Sequence, residues 1–542
     1  MYRSAMRQST VRPTTLIFGF ALLAGLAVAD DEEGGLRRVN HIIIVLQENH
    51  SFDNYFGILP YVPGGPYHPG PCEASDHACV DGLTCSSGGS GLVCANSSFD
   101  DDGSMVASFH SRNYCPGPDL RHDWPGSHQE ANFSRPALTA LASPNDGFVL
   151  VNDGATPLVP PLVPDGIGQH HPDPGAESPT DDDTMGYYDQ TDLPFYYALA
   201  QTFAISDRYF ASVIGPTFPN RSYELAATSF GHVTTAEIFP PLPPVGPFPG
   251  GYQPITGTIM DLLDRSGISW RNYFADVPTT AIFRGLDFTH VLPVTAFLAI
   301  AGSPTCTLPA VSFVDPAFGS NALGTNPGLE EFDEHPPSDI RKGQFFVSRV
   351  VDAVRRSPCW GDSIVFVGYD EHGGFYDHVR PPKARQGGAA SPDGISPGQC
   401  ADLSSPPASQ QPGGGAQCLV SRIDAASICP GFTPTGPYPA ACANFDQLGF
   451  RVPFIAVSPF AKPHYVSHRV ADHTSLLALI EKRFLSRDDS GEDAERPHLT
   501  ARDLHAGTLE DLFDFNQAPS LNATVPAAPP PLPNDPGCPF IP

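Results

Sequence analysis

Positive charge is scarce in this chain. Thirty Lys and Arg face 59 Asp and Glu, giving a formal net charge of −29 at pH 7 and a sequence pI near 4.8. A surface this acidic repels DNA, RNA and anionic headgroups at long range. Nucleic acid is therefore not expected as a partner. Zwitterionic or small soluble substrates are tolerated, and a phosphate site must create its own positive field, as a bound cation would. Long hydrophobic runs are absent beyond the N-terminus, so no later segment is expected to span a bilayer. The single G-x-S-x-G match, Gly394 to Gly398, lies in a Gly/Pro-rich stretch and follows no strand candidate, which argues against that class of serine hydrolase. The twelve cysteines form no C-x-x-C pair set, which argues against a zinc ribbon.

What is present suits a large secreted enzyme. The 542 residues can hold one large α/β domain with decorations, or two or three ordinary domains. The 51 Gly and 61 Pro indicate many loops. Arg3, Arg7 and Arg12 precede an apolar run from Leu16 to Ala29, and Ala27-Val28-Ala29 forms a small-x-small site before Asp30. Residues 1–29 thus read as a signal peptide, with an uncleaved N-terminal anchor as the alternative. The chain is then expected to be secreted, periplasmic or on the cell surface. An even cysteine count fits export and predicts disulfides that staple loops. Five cysteines fall between Cys72 and Cys115 and four between Cys400 and Cys442; their pairing stays open. Asn96, Asn132 and Asn522 lie in glycosylation sequons, usable only in a host that makes such glycans.

A catalytic domain is expected over residues 39–515, with Cys-rich insertions at about 60–115 and 384–445 and a Pro-rich, extended tail at 516–542. His41 to Gln47, Ser363 to Tyr369 and Val452 to Ser458 read as strands buried on both faces. Ala204 to Phe210, Ile268 to Phe274 and Ala310 to Val314 are further strand candidates. Helices are expected at Asp192 to Phe203, Asn220 to Ser229, Thr258 to Arg265, Gly343 to Arg355 and His473 to Phe484. The alternation argues for a mostly parallel sheet flanked by helices.

Open α/β sheets bind ligands at the carboxyl ends of their strands. Glu48 and Asn49 follow the first buried strand and offer the oxygens that hard or borderline cations take. A turn capped by Ser51 or Asp53 is the plainer reading of the same stretch. Asp370, Glu371, His372, Gly373, Gly374, Asp377 and His378 crowd behind the second strand, a costly burst of charge unless it is used. In Gly215 to Arg221, Thr217 lies beside a helix N-terminus, where free N–H groups favour a phosphate. A rigid Pro-Thr-Pro turn would give the same sequence. His122, His335 and His473 are supporting candidates.

In combination, ENHSFDNYFG at Glu48–Gly57, GPTFPNR at Gly215–Arg221, DEHGGFYDHVRPP at Asp370–Pro382 and RVPFIAVSPF at Arg451–Phe460 resemble the ordered motifs of a phosphoesterase family. That family includes bacterial and plant non-specific phospholipases C and a bacterial acid phosphatase. The resemblance runs from about residue 39 to 485. It implies an alkaline-phosphatase-like α/β/α sandwich and a divalent metal ion (Ca, Mg, Mn or Zn) on Glu48, Asn49, Asp370 and Glu371. It also implies Thr217 as nucleophile, with His122, His335 and His378 near the phosphate and Asn220, Arg221 and His372 at the substrate. Two departures stand out. His50 replaces the arginine usual in the first motif, and the Cys72–Cys115 insertion is not a feature associated with the family. A threonine nucleophile tilts the reading toward a phospholipase C, with a secreted phosphomonoesterase and a non-catalytic binding protein as alternatives. The implied partner is a phospholipid or small phosphate ester, with transient contact to a membrane surface; the oligomeric state stays open.

Overall fold

The computed structural model describes residues 35–89, 91–100, 103–116, 119–133, 144–153, 181–233, 235, 252–283, 287–319, 331–384, 445–486, 497–530 and 538. The expected signal peptide and nearly all of the 384–445 insertion, including Cys400 to Cys442, lie outside these residues.

Eight strands form the central sheet: β1 (His41–Gln47), β2 (Ala204–Ser206), β3 (Trp270–Phe274), β4 (Val291–Pro293), β5 (Val311–Asp315), β6 (Ser363–Tyr369), β7 (Phe454–Val457) and β8 (Tyr465–Ser467). Their order is β4-β3-β5-β1-β6-β7-β2-β8. All pairings are parallel except those of β7, which runs antiparallel to both β6 and β2. β1 and β6 sit at the centre, and nearly every residue in them is buried. Apolar β-branched side chains project to both faces there, which requires helices on both sides. Each buried Ile, Val or Leu contributes about 1.5–3 kcal/mol.

The helices that bear on the site are α1 (Phe52–Phe56), α2 (Trp124–Ala131), α3 (Phe148–Asn152), α4 (Pro194–Thr202), α5 (Thr217–Ala226), α6 (Ile259–Ser266), α7 (Val294–Ala301), α8 (Ile340–Arg356) and α9 (His473–Ile480). One group joins α8 to α4 and α7; another joins α5 to α6 and α9. Several starts follow directly from capping. Thr258 and Asp472 each form a capping box at the head of α6 and α9, and Ser51 accepts from Asn54 N at 3.1 Å ahead of α1. Capping by Ser51 and the use of Glu48 and Asn49 are therefore compatible.

Three expectations need correction. α5 begins at Thr217, three residues before the expected Asn220, because Pro219 suits the first helical turn. The first Cys-rich insertion has more regular structure than its composition suggests. It folds into short strand pairs at Cys85–Gly88 with Gly91–Cys94 and Ser97–Phe99 with Met105–Ala107, stapled by Cys72–Cys79 and Cys85–Cys94. The described part of the tail is attached rather than free: Ser520 N donates to Pro459 O, Ala528 is buried, and Cys538 is bonded to Cys115. A fourth disulfide joins Cys306 and Cys359. Among the described residues, no helix is long and apolar enough to cross a membrane.

Candidate active site

The parallel register of β1 and β6 pairs Gln47 with Tyr369, so both strands end at one level. Glu48 and Asn49 leave one tip, and Asp370 and Glu371 leave the other. All four are buried. Arg221 of α5 bridges the tips. Its guanidinium lies 2.9 Å from Glu48 Oε1 through Nη2 and 3.3 Å from Asp370 Oδ2 through Nε. Thr217 opens the same helix one turn earlier, so both side chains lie on one face. Pro216 offers the helix no side-chain cap; Phe218 N donates to Thr235 Oγ1 at 3.3 Å and Pro219 has no N–H, so the Thr217 N–H is the first-turn donor that faces an anion at this end.

Asn220, expected at the substrate, is committed elsewhere. Its Nδ2 donates to the carbonyls of Val213, Gly215 and Pro216, and its Oδ1 accepts from Val213 N at 3.0 Å. It holds the turn that presents Thr217. Arg221, also expected at the substrate, spends its charge on Glu48 and Asp370.

His372 faces two carboxylates, Glu130 Oε2 at 2.8 Å and Glu371 Oε2 at 3.2 Å. Burial alone would lower its pKa; Glu130 and Glu371 outweigh that and raise it to about 9. It therefore orients Glu371 rather than reaching for substrate. His122 Nε2 lies 3.8 Å from Glu371 Oε1, and its Nδ1 donates to Leu120 O at 2.7 Å. Burial opposes its charge, yet Glu371 and Asp119 push its pKa up to about 10. His335 packs edge-on to His122 at 5.6 Å between centroids. Asp119, His122 and His335 offer ligand atoms within 4.8 Å of one another, a second group able to hold a cation.

His378 has different neighbours. Its Nδ1 lies 2.7 Å from Asp53 and its Nε2 3.3 Å from Asp81, in a network with Arg451 and Asp377. Those partners belong to α1, the insertion and the fourth motif, not to the Thr217 turn. His473 Nε2 lies 2.7 Å from Asp370 O and supports the β6 tip from behind.

The donor set fits a divalent cation. Asn49 Oδ1 and Nδ2, Asp370 Oδ2 and Glu371 Oε1 are buried without a hydrogen-bond partner among the described residues. Buried polar atoms are rarely left so, and carboxylate and amide oxygens are hard-metal ligands. Burial pushes the Asp370 carboxyl well above its ordinary range, and Arg221 offsets this only in part. A nearby cation would hold it ionised.

Glu130 and Glu334 escaped the sequence reading. Glu130 sits in the last turn of α2 with no motif around it, and Glu334 lies beside the flagged His335. Their signal was only an acid at a position that folding buries.

A mostly parallel sheet with oxygen donors at two central strand tips, beside a threonine at a helix N-terminus, is the arrangement of an α/β phosphoric-ester hydrolase. The chain belongs to the Phosphoesterase family, whose model matches residues 39–485. Among its relatives, Phospholipase C B of Mycobacterium tuberculosis is 29% identical, over 90% of this chain and 80% of its own length. Non-specific phospholipase C6 of Arabidopsis thaliana is 28% identical, over 74% of this chain and 66% of its own length. Non-hemolytic phospholipase C of Burkholderia pseudomallei is 27% identical, over 93% and 63%. The chain therefore spans just under two-thirds of two of these relatives. Solved structures that overlap it include a Vibrio parahaemolyticus protein of the alkaline phosphatase superfamily (13% identity, 57% of this chain and 67% of that one, TM-score 0.28). Murine ectonucleotide pyrophosphatase/phosphodiesterase 5 overlaps at 11% identity, 59% of this chain and 95% of that one, with TM-score 0.30.

Proposed function

We propose that this protein is an exported, metal-dependent phospholipase C that cleaves zwitterionic phospholipids to diacylglycerol and a phosphorylated headgroup through a covalent phosphothreonine. The observation that carries the reading is the convergence of Glu48 and Asp370 on Arg221, one helical turn from Thr217. The phospholipase C relatives support the substrate class, and four disulfides are consistent with an oxidising compartment.

Glu48, Asn49, Asp370 and Glu371 would hold the cation. When bound, it supplies charge that lowers a hydroxyl pKa and offsets the anionic phosphoryl group; for scale, zinc takes bound water from about 15.7 to about 7. The Thr217 oxygen attacks phosphorus in line, and the bond to the diacylglycerol oxygen breaks. His122, charged by Glu371 and Asp119, gives its proton to that leaving oxygen. The Thr217 N–H at the head of α5 stabilises a phosphoryl oxygen. His122, now neutral, takes a proton from the water that attacks phosphorus; the bond to Thr217 breaks, and its oxygen regains from solvent the proton it released to solvent on attack.

Thr217→Ala should lower kcat by at least about 10⁴-fold with the fold intact. Phosphatidylcholine and p-nitrophenyl phosphate, assayed side by side before and after exhaustive chelation, test the rest. Diacylglycerol release that disappears on chelation and returns with one divalent ion is expected. Undiminished turnover by the variant would reject the covalent route, and turnover of the monoester alone would make the protein a phosphatase.

A further inference from the structure

Glu334 is fully buried, yet among the described residues no Lys or Arg is paired with its carboxylate. Its Oε1 accepts from Tyr196 OH at 2.5 Å and Gln47 Nε2 at 3.2 Å; its Oε2 accepts from Tyr55 OH and Tyr369 OH, each at 2.6 Å. Four neutral donors from α1, α4, β1 and β6 thus meet on one carboxylate. Its backbone has φ +76°, a region that side chains other than Asn, Asp or Gly seldom adopt. A Cβ at Gly343 would lie 2.0 Å from the Glu334 Cγ, so α8 carries a glycine where this side chain passes. Strain and buried polarity together are costly to a fold, and apolar side chains would fill the same volume at lower cost.

The partners show what this arrangement does. Gln47 immediately precedes Glu48, and Tyr369 immediately precedes Asp370. The two are direct partners in the β1–β6 register. His335 immediately follows Glu334. Asp333 O accepts from Glu48 N at 2.8 Å, and Asp333 Oδ1 accepts from His335 N at 3.1 Å. On the other side His50 Nε2 lies 2.9 Å from Glu334 O. An imidazole thus secures the loop from that side.

We propose that Glu334 is a positioning residue: its carboxylate ties both donor-bearing strand tips and the His335 turn to one point and so sets the geometry of the catalytic site. It touches no substrate. It acts through Gln47, Tyr369 and the Asp333–His335 loop. The inference rests on the reading of Glu48, Asp370 and His335 as site residues.

The test is Glu334→Gln, which keeps the size but replaces one acceptor oxygen with a donor among four donors. Tyr369→Phe, which removes a single donor, is the milder variant should Glu334→Gln fail to fold. Outer-shell changes of this kind cost roughly 10–100-fold in metal affinity or activity. The expected result for Glu334→Gln is a kcat about 10-fold lower or more, KM within about 2-fold and a native circular dichroism spectrum. Tyr369→Phe should fall about 3-fold, and the double variant less than the product of the two. Calorimetric titration with Mg²⁺, Ca²⁺, Mn²⁺ and Zn²⁺, each alone, should show about 10-fold weaker binding of whichever ion the wild type takes. A kcat unchanged in both variants, or a KM that rises as much as kcat falls, overturns the proposal. Wild-type protein that hydrolyses neither phosphatidylcholine nor p-nitrophenyl phosphate sinks the proposed function instead, and ion affinity that still falls in the variants would then uphold the positioning role.

Discussion

Gly373 shows how closely backbone must approach for the donor set to form. It has φ +63°, and a Cβ there would lie 2.2 Å from Asn49 O and 2.7 Å from Asn49 Cβ. Backbone strain at such a position costs about 1–3 kcal/mol for a residue with a side chain. Here the clash falls on a residue expected to hold the metal. Gly373→Ala should therefore lower the melting temperature and reduce kcat by about 100-fold, beyond what lost folded protein explains. Thermal unfolding and steady-state kinetics on the same sample check this; wild-type kcat in a folded variant would show that Asn49 tolerates displacement. Asn220 illustrates the opposite relation of sequence to site. A polar residue beside the nucleophile reads as substrate-binding, but three carbonyls and one N–H are closer and absorb it.

Between elements, a buried charge network lies around Arg451. It joins Asp53 of α1 at 2.9 Å and Asp377 at 3.0 Å, and His378 joins Asp53 and, at 3.3 Å, Asp81 of the first insertion. Burial alone would lower the His378 pKa, but Asp53 and Asp81 raise it to about 10, above the ordinary 6.5. A histidine raised on folding binds its proton more tightly in the native state. Its contribution is full below about pH 6.5 and is lost as pH rises toward 10. The urea midpoint should therefore fall between pH 6.5 and 9.5 by more in the wild type than in His378→Gln. Equal falls would mean that His378 does not anchor the insertion. His122 and His372 titrate in the same window, and the difference between the two proteins removes their share. The network was illegible in the sequence because its members lie up to 398 residues apart. β1 and β6 were legible because burial on both faces leaves continuous apolar runs. The short edge strand β4 and the two-residue pairings of the insertion have too few residues for any periodicity. The tips of β1 and β6 stood out because charge follows an apolar run abruptly. Arg221 reads instead as a residue at the substrate, since nothing local reveals that its partners are two strand ends.

Across the whole molecule, the disulfides and the net charge point the same way. Cys115–Cys538 ties the tail to the first insertion across 423 residues, and Cys306–Cys359 closes a loop behind β6. These staples suit a protein that works outside a reducing compartment. Under the proposed function its substrate is a bilayer, and a net charge of −29 acts before any contact is made. Anionic surfaces are repelled over roughly a Debye length, about 8 Å at physiological salt and about 30 Å at 0.01 M. Neutral-headgroup surfaces feel little of this field. Hydrolysis of phosphatidylglycerol vesicles should therefore be several-fold slower than that of phosphatidylcholine vesicles at 0.01 M salt. Raising salt to 0.5 M should narrow the gap, mostly by speeding the anionic substrate. Short-chain monomeric forms of the same lipids should show a much smaller salt effect, because a single charge replaces a charged plane. Were phosphatidylglycerol vesicles cleaved as fast as phosphatidylcholine at 0.01 M salt, a local cationic face would have to outweigh the global field, and headgroup choice would then rest on the pocket alone.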